Sequence, residues 1–318
     1  LFLACCLLSS TLAVQAQTTE GGGIDEQMLQ KIAAAQKPVG RAVANAIASN
    51  SIDDLARNFQ NAGTVDNYFS LETPKQSIHD QKSSGRCWLF SGLNVLRANF
   101  ARQNKDSIRV EYSQAYLTFY DQLEKANLML QGVIDNAEKP MDDQRVQFFF
   151  KNPISDGGTF CGVADLVDKY GLVPMEIMPE TYSAENTSRT GRILSSKLRE
   201  FALELRKMVA AKKSKAAIKA RKTEMLGTVY HILALTLGEP VKSFTYAFKD
   251  KNGKQIGRPK TYTPKQFCQE TVGHKLNGTF TMVMNDPRKE YYKTYEVQYD
   301  RHTYDGHNWK YLNLPMED

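Results

Sequence analysis

The chain has 318 residues, 42% of them hydrophobic and 24% charged, with a formal net charge of +6. That balance belongs to a folded globular protein with room for two domains. No internal repeat and no long low-complexity tract is present, which excludes repeat arrays and compositionally biased disordered chains.

Residues 1–14 are apolar and uncharged, and Val14, Gln15 and Ala16 precede Gln17, the pattern of a secretory signal with its small-residue cleavage site. The run is shorter than the ~20 residues that span a bilayer. Neither an initiator Met nor a basic segment precedes it, so the start of the sequence is expected to be missing. Residues 1–16 are therefore assigned to a signal peptide, which implies a secreted or periplasmic protein. Residues 17–24 form a flexible, glycine-rich leader. From 25 to 62 the pattern is helical, with Leu29, Ile32, Ala33, Val39, Val43, Ile47, Leu55 and Phe59 spaced for one face. Pro38 must interrupt or begin a helix there.

After Thr73 and Pro74, residues 87–100 carry Trp88, Phe90, Leu93, Val95, Leu96 and Phe100 at helical intervals, with Ser83, Ser84 and Gly85 supplying capping chemistry in front. Residues 112–134 again predict a helix. Gly157 and Gly158 predict a turn before a helix over 163–170, which Gly171 stops. Residues 189–237 read as a long helical excursion ended by Gly238 and Pro240. Strand alternation follows at 243–249 and 295–299, with a turn at 250–253.

The most informative stretch is Gln81, Lys82, Ser83, Ser84, Gly85, Arg86, Cys87, Trp88, Leu89 and Phe90. A cysteine in a first helical turn faces unpaired N–H groups and the positive end of the helix dipole, which favour a nucleophilic thiolate. The run resembles the papain-like thiol peptidases, and more specifically the bleomycin hydrolase/aminopeptidase C branch, in which Ser-Gly-Arg-Cys-Trp replaces Cys-Gly-Ser-Cys-Trp. Asp156, Gly157 and Gly158 match that branch, as do the stretches 166–174, 178–181, 237–240, 263–267 and 285–288. The resemblance covers roughly 25–318.

The resemblance implies an α+β, two-domain papain-like fold. Its helical domain, over 25–188, carries the nucleophile. A branch-specific helical insertion follows over 189–240, and 241–318 begins a β-barrel-like domain that is expected to be truncated. It implies peptide hydrolysis through an acyl-enzyme on Cys87, with aminopeptidase action on short peptides and no metal or organic cofactor. Gln81 is implied as a side-chain donor to the oxyanion. Gly157 and Gly158 are implied as substrate-binding residues, whose missing Cβ lets a peptide backbone pair with the enzyme. The full-length family members imply a homo-oligomer, a hexameric ring.

A thiol peptidase also needs a histidine base and an orienting group. His231 lies at a papain-like interval after Cys87 but falls in the helical insertion without Asn-Ser-Trp behind it. In His307, Asn308 and Trp309, neighbours on an extended strand face opposite ways, so Asn308 is poorly placed to orient His307. The family's His-Ala-Met and Asn-Ser-Trp contexts are absent, so the chain is expected to lack its base and to be inactive alone. Once the signal is removed, Cys87, Cys161 and Cys268 remain. Cys161 and Cys268 are either a disulfide or two small buried hydrophobes. Residues 197–222 hold ten Lys/Arg and two Glu. The rival function is therefore a non-catalytic binding or assembly protein using that basic helix. A solvated helix face is favoured over a nucleic-acid site, because stacking aromatics are nearly lacking.

Overall fold

The computed structural model describes residues 21–318 except 62, 64, 65 and 67. The signal peptide assigned to 1–16 lies outside the described residues. The chain divides into two compact units, residues 1–70 and 71–318.

In the first unit, α1 (Glu26–Ala34) is capped by the Asp25 carboxylate, which accepts from the Met28 amide at 2.7 Å. Pro38 falls between α1 and α2 (Arg41–Ser49), where its missing N–H costs nothing, and a four-residue α3 (Ile52–Leu55) follows. None of the three helices holds a buried residue. Helices form where the pattern predicts them, but the spaced residues Leu29, Ile32, Val39, Val43, Ile47, Leu55 and Phe59 are all exposed. Two nine-residue helices and one of four offer too short a stripe to close a core on one another.

The second unit has two hydrophobic clusters. One is an α-helical layer of α5 (Gln114–Asp135), α9 (Thr187–Ala210) and α10 (Lys215–Leu237), joined through Phe119, Leu130, Leu194, Leu198, Leu205, Val229 and Leu233. The other gathers α4 (Cys87–Gln103), α7 (Phe160–Tyr170) and the neighbouring strands around Leu89, Leu93, Leu166, Leu172 and Phe267. Of the shorter elements, α6 (Gln144–Lys151) and α8 (Tyr182–Glu185) join the first cluster through Phe149 and Ala184, and β1 (Ile108–Arg109) packs on the second through Ile108.

Local chemistry sets the boundaries. Ser113 caps α5 by accepting from Tyr116, and α7 begins three residues before the expected start. Gly171 ends α7 at φ 78°, a conformation that favours glycine. The long excursion is two helices rather than one. The chain reverses at 211–214, where Lys212 takes φ 53° and Ser214 opens α10 by accepting from Ala217.

Beyond Gly238 the texture changes. In β2 (Phe244–Tyr246) the alternation is realised, with Phe244 and Tyr246 buried and Thr245 exposed. It pairs antiparallel with β4 (Lys260–Tyr262), β3 (Lys249–Asp250) pairs with β1, and α11 (Pro264–Thr271) opens with a capping box from Thr263 and Gln266. A three-stranded sheet has the order β5 (Met282–Met284), β7 (Trp309–Asn313), β6 (Thr294–Val297), parallel in the first pair and antiparallel in the second. Among the described residues no helix is long and apolar enough to cross a membrane.

Candidate active site

Cys87 is the first residue of α4, exposed and unpaired. The residue in the cap position is Arg86, with φ −93°, ψ 17° and no side-chain cap, which corrects the capping expected from Ser83 and Ser84. The Ser84 hydroxyl is used elsewhere: it donates to the Gln81 carbonyl at 2.7 Å and accepts from Arg86 Nε at 3.0 Å. The first-turn amides of α4 therefore keep no side-chain acceptor at the end where the helix dipole is positive. Among the described residues, nothing hydrogen-bonds the Cys87 sulfur.

The loop that delivers Cys87 is tied down from two sides. Arg86 is 1% exposed and grips Glu180 through both guanidinium ends, at 3.1 and 2.6 Å. Its charge also lies 5.2 Å from the Phe90 ring centroid. On the other side Asp156 accepts from the Gly85 amide at 2.7 Å and from Thr187 Oγ1 at 2.6 Å, while its carbonyl accepts from Trp88 Nε1 at 2.7 Å. A Cβ on Gly85 would stand 2.9 Å from Asp156 Cγ, so glycine lets the carboxylate close on the loop. The sequence flagged Asp156 and Glu180 only as parts of matching stretches. Their clamping roles depend on partners 71 and 94 residues away.

Gln81 is half-buried on the same loop, and Lys82 beside it takes the left-handed φ 54°. The Gln81 amide donates to the Ser84 carbonyl at 2.6 Å. That uses one of its two N–H bonds. Gly157 has nothing within 4 Å of where a Cβ would be, so its face is open. Gly158 is the reverse: a Cβ there would meet His302 Nε2 at 2.6 Å and Trp88 Cδ2 at 2.7 Å. The structure thus brings Gly158 against the ring of the residue that follows Cys87.

The histidines fall apart in space. His231 is exposed in the middle of α10. His307 is held by Asp165 at 2.7 Å, while Asn308 donates to Glu296 at 2.6 Å, so the two neighbours do turn to different partners. His79 lies in a cluster with Arg97 and Glu111. His302, which sequence reasoning passed over, is 1% exposed and bonded to Asp121 at 2.5 Å.

Cys161 and Cys268 are free thiols, and burial pushes both up to about 11. In the basic stretch, Lys197, Arg199, Arg206, Arg221 and Lys222 bond to neighbouring groups of the fold. The ammonium groups of Lys207, Lys212, Lys213, Lys215 and Lys219 make no such bond and lie near the α9–α10 reversal. No three His, Cys, Asp or Glu among the described residues are grouped to hold a metal ion.

Comparison with known proteins decides the family. A model of the Peptidase C1-like family matches residues 23–318. The chain belongs to the Peptidase C1-like family. Aminopeptidase C of Lactobacillus delbrueckii subsp. lactis is 36% identical over 281 residues, covering 88% of this chain and 62% of that protein. Bleomycin hydrolase of Homo sapiens is 37% identical over 247 residues, covering 76% of this chain and 53% of that protein. The crystal structure of PepW from Lactobacillus rhamnosis HN001 superposes with a TM-score of 0.83 at 32% identity, covering 93% of this chain and 67% of that one. This member of the Peptidase C1-like family therefore has the papain-like fold with mixed helix and sheet. It spans about 62% of the length of the first aminopeptidase C relative.

Proposed function

We propose that this chain carries the thiol half of a cysteine peptidase that acts as an aminopeptidase on short peptides. The observation that carries the proposal is the exposed Cys87 thiol at the uncapped start of α4, on a loop clamped by Arg86–Glu180 and Asp156. The Cys87 sulfur attacks the scissile carbonyl carbon, so an S–C bond forms and the carbonyl oxygen takes negative charge. The second N–H of the Gln81 amide and the first-turn amides of α4 serve that oxygen. The C–N bond then breaks and the amine leaves with the proton that the thiol gave up. Water cleaves the thioester, releasing the carboxylic acid and restoring the thiol. Gly157 and Gly158 take the peptide backbone, the open face of Gly157 being the point of approach.

The domain scheme of 25–188, 189–240 and 241–318, secretion or periplasmic location, and a hexameric assembly of the whole protein belong to the same proposal, supported by the family resemblance. So does negligible turnover by this chain alone: nothing among the described residues supplies Cys87 with a hydrogen-bonded base. The test has two arms. Glycyl-phenylalanyl chloromethyl ketone should alkylate Cys87, found as an adduct by peptide mass spectrometry and absent in Cys87→Ala. An aminoacyl-coumarin should be released no faster than by Cys87→Ala. No adduct at Cys87 overturns the nucleophile assignment, and brisk Cys87-dependent release overturns the inactivity of the isolated chain.

A further inference from the structure

We propose that His302 is a positioning residue, which with Asp121 and Lys125 fixes the Gly157–Gly158 backbone and the Trp88 ring against which a peptide aligns for attack by Cys87. The inference deepens the function proposed above and rests on it.

His302 stands in the connection between β6 and β7, yet its ring is buried beside α4 and α5. Its Nδ1 meets Asp121 Oδ1 at 2.5 Å. The other Asp121 oxygen accepts from Lys125 Nζ at 2.8 Å and Gln122 Nε2 at 3.0 Å. Lys125 Nζ in turn donates to the Gly157 carbonyl at 2.7 Å and the Ser155 carbonyl at 3.0 Å. A continuous thread of charge-assisted bonds thus runs from the imidazole to the segment assigned to substrate. The ring tilts against Trp88, with centroids 4.6 Å apart, and Lys125 Nζ lies 5.4 Å from the Trp88 centroid. The ring also occupies the space that a Cβ on Gly158 or Gly162 would need. Glycine at both places admits the imidazole; the imidazole then sets where the loop at Gly158 and the first turn of α7 lie.

The donor direction follows from charge. Burial works against ionisation of Asp121, but Lys125 and His302 outweigh it and hold the carboxyl below its ordinary value. A carboxylate only accepts, so His302 Nδ1 carries the hydrogen. Nε2 is left buried without a partner. A side chain kept only for filling space would be apolar and leave no orphan atom. What the imidazole adds is the bond to Asp121, and through Lys125 that bond ends on the Gly157 carbonyl.

The test is labelling of Cys87 in this chain by glycyl-phenylalanyl chloromethyl ketone, with iodoacetamide as a probe that needs no peptide recognition. In both, the sulfur attacks a methylene carbon and halide leaves. Saturation kinetics separate the apparent affinity, KI, from the limiting rate, kinact. For His302→Ala, KI should rise about tenfold, the effect of one backbone hydrogen bond, while kinact and the iodoacetamide rate stay within about twofold. His302→Asn, whose amide reaches Asp121 as Nδ1 does, should recover most of that affinity. Lys125→Met, which leaves the imidazole and its contacts with Trp88 and Gly158 in place, should raise KI by a similar factor, and it decides the matter if His302→Ala does not fold. An unmoved KI in the folded variants overturns the proposal, as does an iodoacetamide rate that falls in parallel with affinity. Absence of any labelling in the wild-type chain overturns the peptidase proposal and this one together, whereas saturable labelling with unmoved KI overturns this one alone.

Discussion

Arg86 precedes Cys87, and its removal gives the sharpest energetic test of how the loop is held. Its guanidinium donates to both Glu180 oxygens, to Ser84 Oγ at 3.0 Å and to Thr118 Oγ1 at 3.4 Å, all with the side chain 1% exposed. Arg86→Met keeps most of the aliphatic volume and removes the charge. Breaking a buried pair from one side costs about 3–5 kcal/mol, because the surviving ion is stranded. Glu180 keeps 18% of its side chain in water, so it is only partly stranded and the cost falls at the lower end, about 3 kcal/mol. Glu180→Leu strands the fully buried guanidinium and costs more. The double variant, Arg86→Met with Glu180→Leu, removes both desolvation terms and should lie within about 1–2 kcal/mol of wild type, more stable than either single variant. Urea unfolding followed by tryptophan emission suits the measurement, since Trp88 and Trp309 both lie in the second compact unit. Additive losses in the double variant, or a loss below about 1 kcal/mol in Arg86→Met, would refute the reasoning from burial and pairing.

Three further outcomes are expected. Gly157→Ala meets open space and should leave stability within about 0.5 kcal/mol while weakening capture of the peptidyl ketone, whereas Gly158→Ala meets His302 and Trp88 and should lose about 1–3 kcal/mol by urea unfolding. At pH 7.5 iodoacetamide should label exposed Cys87 and spare Cys161 and Cys268. Burial raises both to about 11, leaving roughly one thiol in several thousand ionised until urea exposes them; mass spectrometry of the labelled chain reads this directly. Burial opposes ionisation of Glu111, but the Ser77 hydroxyl, His79 and Arg97 outweigh it and hold the carboxyl below its ordinary value. Its contribution to stability is then complete above the unfolded value near ~4.3 and declines as pH falls through the lower folded value, so Glu111→Gln should flatten the acid limb of a urea-midpoint profile.

Much of the helical framework is written in local sequence, because each signal acts within a turn or two. The periods of 87–100 and 112–134 and the glycine at 171, which takes φ 78°, mark their elements almost unaided. The reversal at 211–214 escaped because no Gly or Pro marks it; a lysine takes the left-handed conformation, which only packing of α9 on α10 through Leu205, Met225 and Val229 explains. The first unit misled in the other direction. Its period is real, but amphipathic spacing states which face is apolar, not whether anything covers it.

The site divides along the same line. Cys87 drew attention because a helix start restricts its residue locally, whereas the crowding at Gly158 comes from His302, far along the chain. Asp156, Glu180 and His302 were not legible in that way, since their meaning lies in partners 71, 94 and 181 residues away. Spacing along the chain drew attention to His231, which ends on the exposed face of α10, and adjacency drew attention to His307, which Asp165 holds. Neither measure tracks distance in space. The clamps on the Cys87 loop are all internal to the second unit and involve neither histidine. The position of Cys87 is therefore set by its own scaffold, without either histidine.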